Sequence, residues 1–162
     1  MHQVQRMCEE EKTLEPFRAQ ASTATGLVLG SPSLDQAYHA VAAELLHCAK
    51  KLDETLSDLT GEYILLMHSS ELGLKAYLAK NGFGQNALYG HNLVDLLSKA
   101  KQHGLTLKYT NADQTITWLN EWHNDRAKIR YDFSSTRVLP MCRQLFPLIE
   151  EIIWASSDVS RP

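Results

Sequence analysis

The sequence predicts an all-α fold: an antiparallel up-and-down bundle of four main helices plus one short helix. Three observations lead there. Apolar residues recur every three or four positions along most of the chain after residue 33, the period of a helix with one buried face. The periodic stretches are separated by short breaks carrying Gly, Asn or Ser, and short breaks favour antiparallel neighbours. Alternating β-branched residues are scarce, so no sheet is expected.

Residues 1–30 read as a tail and linker. A charged piece at 4–14 could be helical, and Ala21-Ser22-Thr23-Ala24-Thr25-Gly26 is small and polar. The bundle is expected over 31–158. Ser31-Pro32-Ser33 opens it, because proline in a first helical turn forfeits no needed N–H. Leu34, Ala37, Tyr38, Val41, Leu45, Cys48 and Leu52 form the apolar stripe of a first helix, predicted to end near Leu59 at a Thr60-Gly61 break. A second helix is expected over 62–80, closed by Asn81-Gly82-Phe83-Gly84. A short third helix follows at 92–102, with Asn92 as its cap, Asp95 at its third position and His103-Gly104 at its end. A fourth starts at Thr110-Asn111 and reaches Ile129 or Arg130. The last is expected over 136–156, with Val138, Cys142, Leu145, Ile149 and Ile152 on one face, Pro140 in its first turn and a kink at Pro147.

A net charge of −3 leaves no global basic patch for nucleic acid, so any phosphate contact must be local. The three cysteines, Cys8, Cys48 and Cys142, are far apart and form no C-x-x-C pair; reduced, partly buried thiols are expected. No metal and no cofactor is expected. Neither a signal peptide nor an apolar run of about 18 residues is present, so a cytoplasmic location without membrane association is expected.

Polar groups nevertheless interrupt the apolar stripes. Ile64, His68, Glu71, Lys75 and Leu78 share one face of the second helix, giving either a solvated edge or a partly buried polar seam. Trp118, Trp122, Arg126 and Arg130 are spaced by four. They form either a stacking and phosphate-binding surface or two core tryptophans followed by exposed arginines. His91-Asn92 stands where a helix N-terminus could attract an anion, or where a histidine could support the loop. The remaining histidines, His123 among them, form no cluster with metal-ligand spacing.

Three segments, Glu71-Leu72-Gly73-Leu74-Lys75-Ala76-Tyr77-Leu78, Gly90-His91-Asn92-Leu93-Val94-Asp95-Leu96-Leu97 and Arg126-Ala127-Lys128-Ile129-Arg130-Tyr131, resemble in order and placement the HEPN family (higher eukaryotes and prokaryotes nucleotide-binding). The resemblance spans roughly residues 33–155. It implies a homodimer or a nucleotidyltransferase partner, and toxin–antitoxin, defence or RNA-processing settings. Many members are metal-independent RNases whose signature is an Arg followed, after four to six residues, by a His. Here Tyr131, Asp132 and Phe133 follow Arg126 at that distance, and none is histidine. Tyr131 or Asp132 could move a proton only with a strongly tuned pKa. No catalytic residue is therefore assigned, and the resemblance implies nucleotide or RNA binding without the usual RNase catalysis. Arg126, Arg130, Tyr131, Asp132, His91 and Lys75 are the expected ligand contacts, supported by Glu71, His68, Asn92 and Trp122. The alternatives are an endoribonuclease using Arg126 with Tyr131, Asp132 or His123 as a non-standard partner, and an antitoxin-like or nucleotidyltransferase-binding interaction protein.

Overall fold

The computed structural model describes residues 31–55, 59–123 and 141–157. Backbone contacts divide the chain into two units, Met1–Ser31 and Pro32–Pro162, and the described helices belong to the second. Among the described residues every regular element is helical. They are α1 (Leu34–Thr55), α2 (Leu59–Lys80), a 3-10 turn (Gln85–Leu88), α3 (Leu93–Gln102), α4 (Ala112–His123) and α5 (Cys142–Ser156). No helix among them is long and apolar enough to cross a membrane.

The start of α1 lies two residues later than proline placement suggests. The Ser33 carbonyl accepts from the Ala37 N–H (2.9 Å), and the Gln36 side chain reaches back to the Ser33 N–H (3.2 Å). This is the Gln half of a Ser-x-x-Gln capping box, and it satisfies the Ser33 N–H. The buried face of α1 is Ala42, Leu46 and Ala49, one position round from the expected stripe, so Val41 and Cys48 are exposed. The small alanines let α2 approach closely enough for Ser69 Oγ to donate to the Ala42 carbonyl (2.7 Å). The break between α1 and α2 also precedes its expected place, since Thr60 and Gly61 already lie within α2.

Helix α2 is the centre of the unit and packs on α1, α3, α4 and α5. It is consequently buried on most of its circumference rather than along one stripe. Leu66, Met67, Leu74 and Leu78 are fully covered. At Gly73 a methyl group would meet Ile152 Cγ2 at 3.0 Å, so glycine sets how near α5 lies. Gly82, with φ of 89°, supplies the left-handed turn that ends α2.

Asn92 caps α3 as expected: its Oδ1 accepts from the N–H groups of Val94 (3.0 Å) and Asp95 (3.1 Å). Helix α4 contributes Ile116 and Leu119 to the core, with Trp118 and Trp122 half-buried beside them. Its expected continuation to Ile129 or Arg130 lies outside the described residues. Helix α5 begins at Cys142, because Met141 is extended (φ −62°, ψ 133°); the expected start near Thr136 lies outside the described residues. Cys142, Leu145, Ile149 and Ile152 are buried as expected, and Pro147 stands inside the helix. Val138 and Pro140 lie outside the described residues.

Candidate functional site

Burying a carboxylate is costly unless every lone pair it brings inside finds a donor. Glu71, in the middle of the central helix, is 3% exposed and meets that demand with four basic side chains. Lys75, one turn on and also buried, donates to Oε1 (2.6 Å). His123, the last residue of α4 and buried, bonds to Oε2 through Nε2 (2.6 Å). His91, entering α3 behind the left-handed Gly90, places Nδ1 3.1 Å from both oxygens. His68 Nδ1 stands 3.9 Å from Oε2, one turn before Glu71. The rings of His68 and His91 both stand edge-on to His123, with centroids 5.0 Å and 6.1 Å away.

Burial pushes the Glu71 carboxyl up, but the hydrogen bonds from His123, Lys75 and His91, with the Lys75 charge, outweigh it and hold its pKa at about 2. Glu71 is therefore ionised and can only accept. That assigns the donor at each partner: Nε2–H on His123 and Nδ1–H on His91. A neutral His91 then carries its lone pair on Nε2, on a ring 53% exposed. The Glu71 carboxylate thus orients a half-exposed imidazole.

The polar seam expected on α2 is thus a buried one at Glu71 and Lys75, with His68 at its exposed edge. Lys75 is turned inward onto Glu71 and is not a free surface cation. Asn92 is a helix cap. The anion-binding reading of this N-terminus meets donors already taken, because Leu93 N–H donates to Asn120 Oδ1 (2.7 Å) while Asn92 holds the next two. His91 is held through Nδ1 by Glu71, with its ring half-exposed. Trp122 packs against the core beside Trp118 (6.3 Å between centroids). Arg126, Arg130, Tyr131 and Asp132 lie outside the described residues.

His123, considered in the sequence only as a partner of Arg126, was not expected beside Glu71. Its signal was the neighbouring stripe of α4: Ile116, Leu119 and His123, spaced three and four, are all buried. The conspicuous Trp118–Trp122 row drew attention one position aside.

A second buried polar set joins the starts of α2 and α5. Glu62 and Tyr63 interact with the Cys142 thiol. Burial pushes the Glu62 carboxyl up, the Tyr63 hydroxyl well up and the Cys142 thiol to about 12, so the thiol stays protonated and unreactive. Glu62 Oε1 finds no hydrogen-bond partner among the described residues.

Comparison with protein-family models, with curated proteins and with solved structures found no match for this chain.

Proposed function

We propose that this chain is a HEPN-like module, an antiparallel up-and-down bundle that dimerises and binds a nucleotide or an RNA phosphate without cleaving it. The observation that carries the reading is the convergence on Glu71. Its carboxylate bonds His91, which belongs to the second segment of the resemblance, and His123, three residues before the Arg126 that opens the third. Two of the three segments that carry the family likeness thereby meet at one buried charge, Glu71 from the first and His91 from the second. Arg126 and Arg130 supply the phosphate contacts in this reading, and Tyr131 a stacking face. Lys75 and His123 hold Glu71 in place, and His91 presents its half-exposed ring to the ligand.

Isothermal titration of the full chain in EDTA with nucleoside triphosphates and short single-stranded RNA tests it. Saturable binding, weakened at least ~10-fold in Arg126→Ala/Arg130→Ala, is the expected result; a tenfold loss is about 1.4 kcal/mol. No heat above dilution, or equal binding by the double variant, overturns it. Light scattering of the same sample checks the dimer.

One observation favours a second reading, a metal-independent endoribonuclease: the Glu71–His91 pair, with its half-exposed ring, has the form of an oriented general base. RNA cleavage in EDTA that is lost in His91→Ala would select it. Intact RNA at high protein concentration would remove it.

A further inference from the structure

The geometry points to a mononuclear site for a divalent transition metal, zinc foremost, formed by His68 Nδ1, Glu71 Oε2 and His123 Nε2. These three donor atoms lie within 4.8 Å of one another. An ion with legs of about 2.1 Å in tetrahedral geometry needs donors roughly 3.4 Å apart. Glu71 Oε2 stands 2.6 Å from His123 Nε2 and 3.9 Å from His68 Nδ1, so the required separation falls between the two. Small side-chain rotations would open the first distance and close the second.

The surroundings are arranged for such an ion. Lys75 bonds Oε1, so Glu71 would bind the metal through Oε2, the oxygen that faces His123. His91 holds the carboxylate from another direction and keeps its plane fixed. Glu71 and His123 are buried, whereas the His68 side chain is 51% exposed and gives an ion a way in from solvent. Binding exchanges the Nε2–H of His123 for a metal bond; the imidazole stays neutral by carrying its proton on Nδ1. Three protein donors leave a four-coordinate ion one position for water or a ligand oxygen, as in catalytic zinc sites.

The donor chemistry also selects the ion. Two imidazoles suit Zn²⁺ and Co²⁺. The Lys75 ammonium beside the single carboxylate disfavours Mg²⁺ and Ca²⁺, which take oxygen-rich shells. This site shares Glu71 and His123 with the phosphate reading, but that reading is tested in EDTA and through Arg126 and Arg130, so the two experiments fail separately.

Cobalt titration of the full chain, stripped with EDTA and desalted, tests the proposal by visible absorption. One equivalent of Co²⁺ should develop the d–d bands of a low-coordinate site. One equivalent of Zn²⁺ should abolish them, and millimolar Mg²⁺ should not. His68→Ala changes an exposed side chain and should weaken Co²⁺ binding at least ~10-fold with an unchanged far-ultraviolet circular dichroism spectrum. His91→Ala removes no ligand and should keep the bands. Zn²⁺ should also raise the Tm of the parent chain and not that of His68→Ala. Absence of the bands in the parent chain, displacement by Mg²⁺, or equal binding by His68→Ala overturns the assignment.

Discussion

Glu71 is acceptable in the core only because four basic groups surround it. Lys75 and His68 face it from α2, His91 from the entry to α3 and His123 from the end of α4. Truncating it leaves the buried Lys75 ammonium without its carboxylate. Removing one partner of a buried pair typically costs about 3–5 kcal/mol, far more than an exposed pair contributes. Glu71→Ala is therefore expected to lower unfolding free energy by about that amount, read as a fall in urea midpoint at constant slope. The exposed Lys51–Glu54 pair (2.9 Å) provides the contrast, and Glu54→Ala should change the midpoint by well under about 1 kcal/mol.

At the scale of elements, two positions decide how helices meet. Asn92 and Asn120 share the start of α3, one from within the chain turn and one across from α4. Loss of an N-cap costs about 1 kcal/mol, so Asn92→Ala should destabilise by that order and speed amide exchange at Val94 and Asp95. Gly73 works differently, because the constraint comes from α5. Alanine would gain up to about 1 kcal/mol in helix propensity, but its methyl would stand 3.0 Å from Ile152 Cγ2 and 3.4 Å from Ile153 Cγ1. Overpacking costs about 1–3 kcal/mol, so Gly73→Ala should be destabilising by about 1 kcal/mol in net. A gain in Tm would show that α5 can retreat freely.

At the scale of the whole molecule, two buried glutamates push pH dependence in opposite directions. Glu71 has its folded pKa lowered to about 2 from 4.5. Its contribution is complete above about pH 4.5 and is lost as pH falls towards 2, an amount of about 3 kcal/mol for the metal-free chain. Glu62 has its folded pKa raised by burial, so its ionisation penalises the folded state as pH rises above 4.5. Thermal melts in EDTA from pH 3 to pH 8 should separate them. Glu62→Gln should raise Tm at pH 7 and change it little at pH 4. An unchanged Tm at pH 7 would mean that the Glu62 carboxylate is ionised without cost.

The sequence by itself determined the all-helical class and the approximate positions of the helices, because both follow from local periodicity and capping. The Asn92 cap, the left-handed Gly82 and the buried face Cys142–Leu145–Ile149–Ile152 were all readable from spacing. It also marked His68, Glu71 and Lys75 as polar groups out of place on an apolar stripe, and His91 by its position at the start of the third helix. Only the tertiary structure decided which of two adjacent stripes is buried. Val41 against Ala42, and Trp122 against His123, differ by a single 100° step that the partner helix selects. It also decided that Lys75 turns inward and that His123 joins Glu71 across 52 residues of chain. Periodicity records which residues share a face, whereas the pairing of buried charges depends on which faces meet.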